Sequence, residues 1–252
     1  MTEKALFVNL LIGHLLADFP CQKDSWVKDK QERRLKCWGI WKHFTVVLIA
    51  SIIAFGYIDL MYFGVAVGVS IIHIVIDYLK VSFTKNGPRA FAADQIVHIV
   101  VLAVVSYFVT RYCNWHQWSV IPKGKDVLYP LILCAYLFCL SPANYIIREI
   151  LKYCHVNNLA KKNGSEVNES IRVSGILIGS LERFLVLTFI LIGNFEAAGL
   201  TIAAKSLLRF NDDEGPRTEY VLVGTLLSIM VAVVCALVVF KVGMGVPMIK
   251  KP

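Results

Sequence analysis

A chain of 252 residues in which 57% of side chains are hydrophobic and 17% are charged, with a mean hydropathy of +0.62, is too apolar for a soluble domain and reads as a polytopic helical membrane protein. The net charge of +8 falls mostly between the apolar runs, where it reports orientation and contact with membrane lipid and gives no case for nucleic-acid binding. The seven cysteines, Cys21, Cys37, Cys113, Cys134, Cys139, Cys154 and Cys235, are scattered and form no CxxC. They exclude a disulfide framework and a zinc–thiolate site and read as packing residues.

In chain order the apolar runs predict an all-α bundle of about seven to eight transmembrane or half-spanning helices. The runs are Ala5 to Phe19, His43 to Tyr57, Leu60 to Leu79, Ala93 to Thr110, Val127 to Ile147, Val173 to Ile192, Ala197 to Leu208 and Tyr220 to Phe240. The first and seventh are short for a bilayer crossing of about 20 residues and read as half-spans or amphipathic helices. The first run passes straight into Asp18 and a basic stretch without a small-residue cleavage site, so it is expected to be a retained span. Pro142, in Ser141-Pro142-Ala143-Asn144, should kink the fifth run. The pattern divides the chain into an N-terminal four-helix membrane half at 1–112, a connecting helix with a polar loop at 113–172, and a C-terminal membrane half at 173–252.

If the runs alternate in direction, about seventeen of the 26 Lys and Arg residues lie on one side, which the positive-inside rule makes cytoplasmic. Most come from Lys23–Lys42, from Lys80, Lys85 and Arg89, and from the stretch between Arg148 and Arg172. Eight crossings would leave both termini outside. Asn168-Glu169-Ser170 fits a glycosylation sequon but would be cytoplasmic. Trp26, Trp38 and Trp41 read as interfacial anchors, and His116 and His155 as surface histidines.

Three His/Asp pairs at helical spacing, His14/Asp18, His73/Asp77 and Asp94/His98, stand with His43 in or beside the first four runs. A spacing of four puts both members of a pair on one helix face. The alternating threading then carries all seven, from four helices, to one depth near the cytoplasmic face. Imidazole and carboxylate without thiolate suit zinc, manganese or iron, and helical bundles build such centres from inward-projecting pairs. Seven ligands exceed one tetrahedral ion and suit two. The alternative is a network of helix-end hydrogen bonds, and a carboxylate can also orient a histidine without touching the metal.

The second half differs. Glu182 and Arg183 fall mid-way along the sixth run, Lys205 and Arg209 four apart on the seventh, and Glu219 ahead of the eighth. Glu182 and Glu219 read as partners in interhelical ion pairs. Arg183, Lys205 and Arg209 read either as their counterparts or as an anion-binding subsite beside the metal centre. Gly175 and Gly179 form a GxxxG, which permits close helix approach and suggests a homo-oligomer.

The strings His14-Leu-Leu-Ala-Asp18-Phe19, Lys42-His43, His73-Ile-Val-Ile-Asp77-Tyr78-Leu79-Lys80 and Asp94-Gln95-Ile-Val-His98 resemble the bacterial integral-membrane family known as domain of unknown function 3307. Gly179-Ser-Leu-Glu182-Arg183, Ala203-Ala204-Lys205-Ser206 and Glu219-Tyr220-Val-Leu-Val-Gly224-Thr-Leu-Leu-Ser228 resemble its extended members. The resemblance implies a multi-pass protein of the bacterial inner (cytoplasmic) membrane and no established activity. More distantly, HxxxD pairs on a helical core are similar to the ligand pattern of the zinc-dependent phospholipase C and nuclease group and of membrane-bound metal-dependent hydrolases, although no HxxxE occurs here.

The leading functional expectation is a membrane-embedded metal-dependent hydrolase, acting on a phosphoester or lipid-type substrate at the cytoplasmic face. One or two divalent transition-metal ions, zinc first and manganese or iron as alternatives, would activate water. Asp94 and His98, after the Gly87-Pro88 turn and a short loop, are the pair expected nearest the substrate. A cation or solute transporter or channel built on the same residues is the second reading. A non-catalytic membrane sensor or effector held together by metal is the third.

Overall fold

The computed structural model describes residues 3–23, 25–27, 29, 38–56, 59–83, 87–113, 125–153, 169–209 and 216–244, without the side chains of 81–83, 152–153, 169–174, 206, 208–209, 216–222 and 244. Among these residues the chain is helical and without strands. The helices are α1 Glu3–Asp18, α2 Trp38–Phe55, α3 Leu60–Phe83, α4 Pro88–Tyr112, α5 Leu128–Leu140, α6 Pro142–Tyr153, α7 Glu169–Leu191, α8 Phe195–Arg209 and α9 Pro216–Val238, with a π-helical turn at Val239–Met244. They fall into two compact units, Met1–Cys134 and Ala135–Pro252.

Four described helices are long and apolar enough to cross a membrane: α2, α3, α4 and the stretch Val223–Gly243. The pair α5 and α6, bent by 42°, is apolar enough together to count as a fifth if it is one broken span and not a re-entrant loop. The bend falls at Ser141-Pro142, where proline lacks the amide that would continue the ladder. Helices α1 and α8, with 16 and 15 residues, are shorter than a full crossing, as their apolar runs are. Full-length spans among the described helices therefore number fewer than the eight that strict alternation assumes.

Local chemistry sets the ends of the first four helices. Pro20 follows the end of α1 at Asp18, as proline commonly does after a helix. Gly56, at φ 74°, terminates α2 in the left-handed region that costs glycine least. The Asp59 carboxylate accepts the Leu60 amide at 2.7 Å at the start of α3. Pro88 opens α4 at a position where its missing amide costs nothing. Helix α4 thus begins five residues before the predicted run, and the short loop expected ahead of Asp94 is already helix. Asp94 lies in its second turn.

In the first unit α1 packs on α2 and α4, and α3 packs on the same two, so the four close a ring with α1 and α3 on one diagonal. A core of Ala5, Leu6 and Leu10 of α1, Ala54 and Phe55 of α2, Tyr62, Ala66 and Val69 of α3 and Leu102 and Val109 of α4 fills one end of the ring. Starts of α1 and α3 meet ends of α2 and α4 there, the mark of antiparallel neighbours. The Tyr62 hydroxyl donates to the Cys113 carbonyl at 2.8 Å and ties that end. Lipid is as apolar as leucine, so this packing draws on close van der Waals contact, which small residues permit. At Gly13 an added Cβ would lie 3.1 Å from the Ala50 carbonyl oxygen; the glycine lets α1 approach α2. The opposite end of the ring holds the polar residues.

Candidate metal centre

All seven of the predicted His and Asp residues come together at that polar end. Three overlapping groups have ligand atoms within 4.8 Å of one another: His14, Asp18, His73 and His98; His43, His73 and Asp77; and Asp77, Asp94 and His98. These groups could hold a metal ion. Helix α1 supplies the first pair, α3 the second and α4 the third, while His43 comes from the second turn of α2. The i, i+4 spacing does the local work, since both members of each pair leave the helix on the face turned into the ring.

The cluster is buried. His43 is fully buried, and His14, His73, Asp94 and His98 expose 7% or less. His43 and His73 bring their Nε2 atoms to 3.0 Å. The Asp18 Oδ1 lies 3.0 Å from His73 Nε2 and 3.4 Å from His43 Nε2. On the far side, Asp77 places Oδ2 3.5 Å from His43 Nε2 and Oδ1 3.5 Å from His98 Nε2. The ring centroids of His73 and His98 are 4.2 Å apart.

These separations decide what the centre can do. A tetrahedral ion bonded at about 2.0–2.1 Å to nitrogen and oxygen spaces its ligands roughly 3.3 Å apart. The triangle of His43 Nε2, His73 Nε2 and Asp18 Oδ1 has sides of 3.0, 3.0 and 3.4 Å, within a few tenths of that edge. Hydrogen bonding accounts for the set less well. Both ring nitrogens of His98 and Asp94 Oδ1 are buried with no hydrogen-bond partner among the described residues, and an orphaned buried polar atom costs about 1–3 kcal/mol. A cation meets that need for the acceptors.

Contacts that residue spacing did not reveal surround the cluster. Gln95 accepts from His14 Nε2 through its Oε1 at 3.2 Å and donates to Asp94 Oδ2 at 3.2 Å. It thereby fixes two candidate ligands, the supporting role that outer hydrogen bonds play around metals. Gln22 donates to His43 Nε2 at 3.3 Å, and the Lys80 ammonium reaches Asp94 Oδ2 at 2.7 Å. Amides and a lysine at helix ends carry no periodic signal, although Lys80 and Gln95 stand inside the quoted strings. The Asp29 carboxylate accepts the Gly39 amide at 3.1 Å and caps the start of α2.

A cavity of about 20 Å³ lies between the cluster and the apolar core of the ring, with His14, His73 and His98 in its wall beside Gly13, Ser51 and Leu102. That is room for about one water molecule with polar partners to hold it. Beyond it stands the apolar core of the ring.

The residues predicted to bind substrate belong to the second unit. Arg183 is 2% exposed. It donates from Nε to the Cys139 carbonyl at 2.7 Å, from Nη1 to Ser228 Oγ at 2.8 Å, and from Nη2 to Asn144 Oδ1 and Ser180 Oγ. An added Cβ on Gly179 would lie 3.4 Å from Arg183 Nη1, while Gly175 has open space around it. Lys205 pairs with Glu182. The side chains of Arg209 and Glu219, together with His116, His155 and the residues Asn168-Glu169-Ser170 of the sequon, lie outside the described residues or side chains. Trp38 and Trp41 are exposed, and Trp26 is partly buried.

No curated protein and no solved structure matches the chain. A family model described as Protein of unknown function (DUF3307) matches residues 6–124, a range that takes in every helix of the polar ring and ends before the C-terminal strings. The four ordered motifs around His14, His43, His73 and Asp94 lie inside the matched range, and over residues 6–124 the chain is similar to that family.

Proposed function

We propose that the first unit is a membrane-embedded metal centre that activates water, and that the protein is a metal-dependent hydrolase of phosphoester or lipid-type substrates. The observation that carries the reading is the gathering of four imidazoles and three carboxylates at coordination spacing, with a water-sized cavity against three of the histidines. Bound there, one or two divalent transition-metal ions, zinc or alternatively manganese or iron, would lower the pKa of a coordinated water and polarise a phosphoryl or acyl oxygen. We assign Asp94 and His98 to that water as base or ligand: His98 lines the cavity, and Asp94 lies one turn before it on α4 within ligand distance. Asp94→Asn should reduce turnover of lipid-phosphate or phosphodiester substrates by at least about a hundredfold, the scale for losing a positioned base, with the fold retained. Unchanged turnover in a folded Asp94→Asn protein would remove Asp94 from the reaction.

The apolar core behind the cavity supports this reading over conduction across the membrane, because a path for ions would have to cross Leu6, Phe55 and Tyr62. The basic stretches support a cytoplasmic position for the polar end, in the inner membrane of a bacterium. Single cysteines introduced at positions 30 and 162 should label from the cytoplasmic side and one at 123 from the other. Labelling of 30 and 162 from opposite sides would refute the orientation.

A further inference from the structure

Lys80 has no role in the reading above, yet its position is specific. It follows Asp77 by three residues on α3 and reaches Asp94 Oδ2 of α4 at 2.7 Å. Its side chain is 32% exposed where that of Asp94 is 3%, so the ammonium stands between the buried carboxylate and the outside. The ring of Phe91, 5.5 Å away, lies under the ammonium and favours its charge there. Behind Lys80 are Asp77, Asp94 and His98, whose ligand atoms lie within 4.8 Å of one another. Two features of this trio ask for a cation. Asp94 Oδ1 and the acceptor nitrogen of His98 are buried without hydrogen-bond partners, and Gln95 supports Asp94 from only one oxygen, Oδ2. The remaining four residues, His14, Asp18, His43 and His73, hold the tightest triangle, that of Asp18, His43 and His73, and adjoin the trio through His98 and Asp77.

Resting on the metal-centre reading, we infer that the two sets are two unequal ion positions, and that Lys80 is the built-in counter-cation of the second, formed by Asp77, Asp94 and His98. In the first set the ion-pair partners of the Asp18 carboxylate among the described residues are imidazoles, His14, His43 and His73, and not an ammonium, so an ion beside that carboxylate displaces no cation from it. The second must accept an ion beside an ammonium that already shares its carboxylate. Two positive charges a few ångströms apart in a partly buried site repel strongly. The second position therefore binds weakly until Lys80 turns outward. An anionic substrate oxygen arriving from the exposed side supplies a reason for that turn, because it offers the ammonium another partner. Loading of the second ion is thereby coupled to the presence of an anion.

Calorimetric titration of the detergent-purified, metal-stripped full chain with manganese(II), and separately with zinc(II), tests this. Wild-type protein should show one tight and one weak site. Lys80→Met, and Lys80→Gln should the methionine variant fail to fold, should tighten the weak site by at least about tenfold and leave the tight one unchanged. Lys80→Arg, which keeps the charge, should behave as wild type. Inorganic phosphate should tighten the weak site in wild type and do little in Lys80→Met. Two equally tight sites in wild type, or a weak site indifferent to Lys80→Met and Lys80→Gln, overturns the inference while leaving the metal centre standing. No ion bound by any folded variant overturns both.

Discussion

The two units bury polar groups in apolar helices, and they do so in opposite ways. In the second unit one arginine is surrounded by acceptors: a carbonyl, two hydroxyls and an amide oxygen each receive one of its N–H groups. The charge is paid for in hydrogen bonds, and the arrangement closes on itself. In the first unit carboxylates and imidazoles face each other at 3.0–3.5 Å, and buried acceptor atoms are left without donors. On the metal-centre reading, an added ion completes that arrangement. The difference teaches that a polar residue in a membrane helix is not by itself a site; what matters is whether its hydrogen-bonding capacity is met by the chain.

Two substitutions in the second unit sharpen the contrast, because both should spare the metal centre. Arg183→Met removes the donor that serves Cys139 O at the Ser141-Pro142 break and the hydroxyl of Ser228, leaving buried acceptors unmet. It should cost about 1–3 kcal/mol, read as a lowered unfolding midpoint in detergent, with metal content unchanged. Glu182→Ala breaks a pair whose partners are 19% and 25% exposed, and a partly screened pair of that kind should cost no more than about 1 kcal/mol. A loss of metal in either variant, with the fold retained, would show that the two regions are not independent in the way their chemistry suggests.

The first unit was legible in the sequence because its message is periodic. A spacing of four on an apolar helix names the face, and alternation of direction names the depth, so His14, Asp18, His43, His73, Asp77, Asp94 and His98 could be brought together without coordinates. The supporting groups were not legible. Gln22, Lys80 and Gln95 act through side chains whose reach depends on how helix ends are set, and their spacing carries no signal. The expected start of α4 falls too late for a related reason: the Gly87-Pro88 pair reads as a turn before a loop, whereas Pro88 itself opens the helix. In the second unit the break at Pro142 was evident, but not that Arg183 would serve the Cys139 carbonyl there, since a backbone acceptor leaves no trace in a residue pattern. The first and seventh runs are short for a crossing in the sequence itself, and α1 and α8, with 16 and 15 residues, keep that length.

The central claim is that the polar end of the first unit holds metal, and elemental analysis of the purified full chain tests it most directly. At least one transition-metal ion per chain is expected, removable by chelation and restored on titration. His73→Ala should lose it, because His73 belongs to two of the three ligand groups and a structural or catalytic ion depends on each of its few ligands. A folded wild-type protein that carries no metal and binds none on titration would contradict the account.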